Sequence, residues 1–370
     1  MVSHNKQLLS IKQDRILEIE IIRFISAISV VVWHYQHFFY INTVDFIKDQ
    51  QPFFNFFKLF YEKGYYGVQV FWLISGFILF WKYKELIVNK KLDYKNFFIL
   101  RFSRLYPIHF LTLIIVALLQ AIYFSNYNQY FVYGDNNIKN FLLQLFFISN
   151  WFNTNNLSYN GPIWSVSIEV LIYFFYFSFL RYVSKSILIN IFFICLYLLA
   201  NFFKIKSLVL NCLLLFYIGG FFSILLEYLK NKKDRKIIIF LLLIVTFVFS
   251  FYFLEYFPIF SSFFSFSTKY YLLTVCGPAV LFYVYRQYFC MASVIKKIII
   301  IFGNMTYSIY LIHFPIQLII ALYFRYTNQK IPYYDNIFFI LYLVITLIIS
   351  FYLYYFFELK MQNFIRKKFK

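Results

Sequence analysis

Acidic residues are scarce in this chain, with 15 Asp and Glu against 35 Lys and Arg in 370 residues, and only 14% of all positions are charged. Cysteine is scarcer still. Cys195, Cys212, Cys276 and Cys290 lie in or beside apolar runs, without metal-type spacing or a secreted disulfide pattern. They read as small core hydrophobes, and no metal is expected. There is no Gly/Ser linker, no internal repeat and no soluble domain at either end, so 1–370 reads as a single transmembrane domain with no soluble C-terminal domain. A cleavable signal peptide is also missing, because the first apolar stretch has no small-residue cleavage site and runs on as a full span. What abounds is apolar side chain: 62% of residues are hydrophobic and the mean hydropathy is +0.68. A water-soluble domain of this size cannot cover so much apolar surface, whereas a lipid bilayer accepts it as solvent. The formal charge of +20 would suggest nucleic acid in a soluble protein. Here the Lys and Arg gather in short loops between apolar spans, so they report topology, and no nucleic-acid partner is expected.

Apolar runs of helix length occupy 17–40, 65–82, 105–124, 164–182, 187–203, 207–227, 237–257, 269–287, 298–322 and 336–358. Each is near the ~20 residues that cross the hydrocarbon core at ~1.5 Å per residue. The expectation is an all-α, polytopic membrane helical bundle with about ten transmembrane helices. The stretch 141–152 is too short to span and reads as a re-entrant or interfacial helix; if it spanned, every downstream orientation would invert. With the N-terminus inside, 26 of the 35 basic residues fall on the cytoplasmic side, which argues for both termini cytoplasmic. The longer outer segments, 41–64 and 125–163, include an Asn- and Tyr-rich run (Asn150, Asn153, Asn155, Asn156, Tyr159, Asn160) that suits a sugar or simply a good loop.

Ionisable groups inside a bilayer are costly, so each calls for a reason. Arg23 and His34 are eleven residues apart, which returns a helix to within roughly 20° of the same face and separates the pair by ~16 Å. Arg23 near the cytoplasmic end and a deeper His34 suit a channel that admits an anionic ligand and delivers its far end to a base. The plainer reading is a snorkelling Arg and a hydrogen-bonded core His. His37, one turn on, reads as a polar interface residue. Arg101 and Arg104 lie at i, i+3 and face the same way, as guanidinium forks that bind phosphate would, although membrane anchoring explains either one alone. Lys90, Lys91 and Lys95 read as anchors. Glu169, close to the outer interface, shares a face with Ser165 and could orient a histidine, accept from a sugar hydroxyl or hold an arginine. His313 precedes Pro315, which frees the carbonyl of Leu311 and predicts a local break with polar groups.

These residues fall into five segments: Glu20-Ile-Ile-Arg23 with Ala27, Val31-Val32 and His34; Gly67-Val-Gln-Val-Phe-Trp-Leu-Ile-Ser75-Gly76-Phe77; Arg101-Phe-Ser-Arg104-Leu105-Tyr106-Pro107; Trp164-Ser165-Val-Ser-Ile-Glu169; and Tyr307-Ser-Ile-Tyr-Leu-Ile-His313-Phe-Pro315. In this order they resemble the acyltransferase-3 family of integral membrane acyltransferases, of the polysaccharide or lipopolysaccharide O-acetyltransferase type. The likeness covers nearly the whole chain. It implies about ten helices and transfer of an acyl group, usually acetyl, from cytoplasmic acyl-CoA to a hydroxyl on a cell-surface or lipid-linked glycan, in a bacterial inner membrane. Glu20 stands where the family usually has Asp, and Gln69 replaces the usual acid of the second segment. Some relatives carry a C-terminal esterase-like domain, and this chain is expected to work without one or with a separate partner.

The resulting expectation is an acyl-CoA-dependent O-acyltransferase. His34, Arg23 and Glu169 are its candidate catalytic residues, and Arg101, Arg104 and Arg23 hold acyl-CoA, most simply acetyl-CoA, as donor. Glu20, Ser75, Trp164, Ser165, Tyr307 and His313 are candidates for structural or site support. Neutral His34 would take the proton of the acceptor hydroxyl as it attacks the thioester, with an acyl-histidine intermediate as the alternative. The rival function is a transporter or flippase for a lipid-linked sugar, which lacks support from paired half-helices or repeats. A plain membrane scaffold leaves Arg23, His34 and Glu169 unexplained.

Overall fold

A computed structural model describes residues 15–41, 46–152, 157–183, 188–203, 205, 207–230 and 292–369. All of its regular structure is helical: α1 (Leu17–His34, continuing as a 3-10 turn Tyr35–Ile41), α2 (Phe54–Lys63), α3 (Gly67–Val88), α4 (Tyr94–Tyr127), α5 (Ile138–Leu145), α6 (Ile163–Ser178), α7 (Leu188–Phe202), α8 (Leu208–Lys230), α9 (Ser293–Asn304), α10 (Thr306–Tyr326), α11 (Asn336–Tyr352) and α12 (Leu359–Lys368). A wide π turn, Leu353–Glu358, joins α11 to α12.

The all-α membrane bundle stands, but the count of about ten spans is corrected. Among the described residues, five helical stretches are long and apolar enough to cross a membrane: Phe54–Val88, Tyr94–Tyr127, Ile163–Val183, Thr306–Tyr326 and Asn336–Lys368. The reasons are local. Over its 18 residues α1 carries Glu18, Glu20 and Arg23 and then tightens into a 3-10 turn. With 15 residues, α7 reaches only ~22 Å. The run 298–322 is two helices, broken at Met305 between α9 and α10. The runs 237–257 and 269–287 lie outside the described residues, as do Cys276, Cys290, Asn153, Asn155 and Asn156. The stretch 141–152 holds only the end of eight-residue α5, about 12 Å long and too short to span. Arg101 and Arg104 sit within a helix, because Asp93 caps α4 by accepting from the Asn96 amide at 2.8 Å, well before the apolar run begins.

Side chains sort as lipid demands. On α11 the stripe Ile337, Leu341, Val344, Ile348 is exposed, while Phe339, Tyr342, Thr346 and Ser350 on the other face are buried. On α4 Phe110, Leu118 and Ile122 face outward, while His109, Thr112, Val116 and Gln120 face in. An outside this apolar suits hydrocarbon and leaves polar groups to pair inside.

Small residues set the helix spacing. A Cβ at Gly76 would collide with the Phe216 carbonyl, and one at Gly219 with the Leu73 carbonyl, so α3 and α8 run with backbones in contact. Around this pair gathers one aromatic-rich core with Trp72, Phe80, Tyr176 and Phe216. A second, containing Val31, Tyr35, Ile309, Phe339 and Tyr342, ties α1 to α10 and α11. A third joins Val116 and Phe131 to Phe314 and Leu318.

Candidate active site

Between these cores α1, α3, α4, α6, α10 and α12 surround a cavity of about 480 Å³. Its walls carry six cations, Arg15, Arg23, Lys82, Arg101, Arg104 and Arg366, against two carboxylates, Glu20 and Glu169. The cations are not equivalent. Arg23 donates to Glu20 and to the Thr306 hydroxyl, both at 3.0 Å. Gly303 makes room for this, since a Cβ there would strike the Glu20 carboxylate. Arg104 pairs at 3.5 Å with Glu358, which is 1% exposed and also accepts from the Ser308 hydroxyl at 2.6 Å.

Arg101, Lys82 and Arg366 make no ion pair among the described residues. Arg101 donates to the Tyr83 hydroxyl at 2.8 Å and lies over the Tyr83 ring, with its centre 4.9 Å from the centroid, while its Nε is buried without an acceptor. Arg366 donates to the Ser103 hydroxyl at 3.0 Å. Of the three arginines expected to hold an anion, two are therefore already neutralised, and the charge without a carboxylate partner sits on Arg101 with Arg15, which donates to Asn304 Oδ1 at 3.0 Å, and with Lys82 and Arg366. The last two read from the sequence only as topology markers, because their meeting depends on α12 folding back along α4.

Glu169 lines this same cavity, although its place in the sequence suggested the opposite face of the membrane from Arg101. Its carboxylate accepts from Tyr173, whose hydroxyl also lies 3.1 Å from Ser75 Oγ. Ser165 Oγ and the Tyr310 hydroxyl are 2.8 Å apart, and Tyr310 donates to the Pro162 carbonyl at 2.8 Å. The Tyr307 hydroxyl donates to the Leu105 carbonyl at 3.0 Å. Trp164 packs edge-on against Trp72, whose indole donates to the Ser165 carbonyl. Ser75, Ser165 and Tyr307 are thus in the cavity wall, and Trp164 stands behind it.

His34 is not among the lining residues. It sits deeper, 7% exposed, in a cluster with His313 and His37. His34 Nδ1 is 3.1 Å from His313 Nε2, with ring centroids 4.9 Å apart, and the His37 centroid is 4.7 Å away. Gln317 knits the place where α1 changes to a 3-10 turn: its Nε2 donates to the His34 carbonyl at 2.8 Å and its Oε1 lies 2.9 Å from His37 Nδ1. His37 is therefore a core residue rather than an interface one. Glu169, a candidate to orient His34, is engaged by Tyr173 instead, and the side chain that partners the His34 ring is His313, beside the backbone of Val30. The cavity reaches this cluster at Tyr310, whose ring centroid is 6.2 Å from that of His313. The local break expected at Pro315 does not appear, since α10 runs unbroken through it; the freed Leu311 carbonyl instead accepts from Asn160 Nδ2 at 3.1 Å.

Residues 16–355 match the family model described as an acyltransferase domain. The chain belongs to the acyltransferase-3 family. No curated protein and no solved structure matches it. The match spans four of the six cavity cations, both carboxylates and the histidine cluster, and leaves out Arg15 and Arg366. No group of side chains among the described residues is suited to hold a metal ion.

Proposed function

We propose that this membrane acyltransferase moves an acyl group, acetyl in the simplest case, from acyl-CoA to a hydroxyl of a cell-surface or lipid-linked glycan in a bacterial inner membrane. The observation that carries the reading is the cavity: six cations against two carboxylates, polar side chains such as Ser75, Ser165 and Tyr307 in its wall, and a lining Tyr310 in contact with the buried histidine pair. Coenzyme A has the matching form, a polyanionic head and a slender thioester arm ~15–20 Å long. The phosphates bind Arg101, Lys82 and Arg366, with Arg104 and Arg23 held ready by Glu358 and Glu20. The cavity opens to the cytoplasm, the side favoured by the basic segment 82–104.

The thioester passes Tyr310 to reach His34. His34 takes the proton from the acceptor hydroxyl as its oxygen attacks the thioester carbonyl carbon. The C–S bond then breaks, and the thiolate recovers that proton from the imidazolium. Glu169, fixed by Tyr173 and Ser75, accepts from the incoming hydroxyl or the pantetheine amides. Family membership favours acyl transfer over lipid-linked-sugar flipping, which no observation on this chain supports.

The test is transfer of label from radiolabelled acetyl-CoA in membranes containing the protein. Label in the glycan fraction is expected; intact donor in the presence of a full range of surface glycans sinks the proposal. Single turnover without acceptor separates the two chemistries, because label retained on the protein would replace direct transfer with an acyl-histidine.

A further inference from the structure

A hydrogen bond between two imidazoles has a direction, and in the histidine cluster the neighbouring acceptors set it. His313 Nδ1 lies 3.3 Å from the carbonyl oxygen of Ile309, one turn back on α10. A carbonyl oxygen only accepts, so His313 Nδ1 carries a proton. His34 and His313 are 7% and 0% exposed, and no carboxylate reaches either ring among the described residues, so both imidazoles are neutral. A neutral imidazole has one N–H, which leaves His313 Nε2 as a lone pair. That lone pair faces His34 Nδ1 at 3.1 Å, so the proton between the rings belongs to His34. The basic nitrogen of His34 is then Nε2.

From this geometry we infer that His313 is a positioning residue that holds His34 in its Nδ1–H tautomer and thereby puts the proton-accepting lone pair on Nε2. The functional part of the inference rests on the reading of His34 as the base; the tautomer assignment does not. A general base in the wrong tautomer presents a proton where it must accept one, and so fails without any change in shape. The surroundings lock the pair. The Ile309 carbonyl belongs to the helix that carries His313, so the donor cannot drift from its acceptor. Gln317 holds the His34 carbonyl at 2.8 Å, which fixes the backbone beneath the ring. The three polar anchors, Ile309 O, His313 and Gln317, lie on one face of α10, spaced to meet the last turn of α1. The Tyr-Ser-Ile-Tyr-Leu-Ile-His-Phe-Pro segment thus has a task that the cavity does not explain.

The experiment compares His313→Gln with His313→Met. Gln reaches the former Nε2 position with a carbonyl oxygen and still accepts from His34 Nδ1–H; Met fills similar space without an equivalent acceptor. For His313→Met the expected result is a fall in kcat of about 10–100-fold with KM for acetyl-CoA unchanged. His313→Gln should recover most of that loss. A merely structural role for His313 predicts that both variants fail alike, or that KM moves with kcat, and either result overturns the inference. The independent readout is 15N NMR of histidine-labelled protein, with the His34 signals assigned by their loss in His34→Ala. Wild type should show His34 protonated at Nδ1 and bare at Nε2, with the proton redistributing toward Nε2 in His313→Met. A wild-type His34 protonated at Nε2 overturns the inference even if neither variant folds. Full turnover by His34→Ala would remove the base reading instead, and the spectra would still decide the tautomer assignment.

Discussion

The cationic cavity and the histidine cluster are neighbours, separated by the ring of Tyr310, yet they are built on opposite terms. The cavity keeps charge in excess, with Arg101 lacking a carboxylate and its Nε lacking any acceptor. In the cluster His34 and His313 have no carboxylate, and each polar contact there has a neutral partner. An unfilled charged site is tolerable where water and a ligand can enter, and a buried one is not. The contrast teaches where affinity and chemistry reside. Under the proposed function, interactions in the cavity would hold substrate and transition state alike, while the cluster would act only when a proton moves.

The sharpest way to break that division is His34→Ala. Turnover should fall by about 10²–10⁴-fold, the usual contribution of a positioned base. Binding of acetyl-CoA, measured calorimetrically on detergent-solubilised protein, should be unchanged because His34 does not line the cavity. A parallel loss of binding would merge the two regions into one.

Arg101→Gln should do the reverse. A charge-assisted hydrogen bond is worth about 1.5–3 kcal/mol, so donor affinity should weaken about 10–100-fold, with the difference shrinking as salt is raised. Arg104→Gln, three residues away on the same helix, should behave differently. It strands the Glu358 carboxylate, which is 1% exposed, so its main cost is stability. Removing one partner of a buried pair costs about 3–5 kcal/mol, and the partly exposed Arg104 at 3.5 Å puts this pair at or below ~3 kcal/mol. Thermal unfolding would register it. Equal effects of the two variants on donor affinity would show that Glu358 does not neutralise Arg104.

Much of this was legible in the sequence, and what was not has a common cause. Composition announced a membrane bundle, and the spacing of Arg23 and His34 placed both on one helix. The i, i+3 arginines marked the charged end. Local pattern could not show that α1 ends at His34 in a tighter turn, or that 298–322 divides at Met305. Nor could it show that α12 brings Arg366 to Ser103, 263 positions away in the sequence. Within the described residues the count of about ten spans failed for the same reason: hydropathy scores a run of residues and does not see where the helix within it stops, while the runs 237–257 and 269–287 lie outside the described residues. Partners far apart in sequence were missed in the same way. Glu169 was a plausible support for His34, yet its carboxylate is taken by Tyr173 on its own helix and His313 supplies the partner. A signal for Gln317 did exist, since a buried amide one turn beyond His313 needs both its donor and its acceptor met.

Pro315 gives the smallest effect and the cleanest local test of the cluster's frame. A proline in α10 has no N–H to return to Leu311, so that carbonyl needs another donor. The amide of Asn160 supplies it at 3.1 Å, from a loop otherwise notable only for its Asn and Tyr content. Asn160→Ala should leave the Leu311 carbonyl unmet and cost about 1–2 kcal/mol of stability. Because Leu311 lies between Ile309 and His313, the loosened turn should also lower kcat slightly without touching donor affinity. If Asn160→Ala instead abolishes transfer while the protein stays fully stable, the loop touches the acceptor directly. The chemistry would then extend past the histidines to the loop that carries Asn160, and the neutral cluster would no longer mark the end of the site.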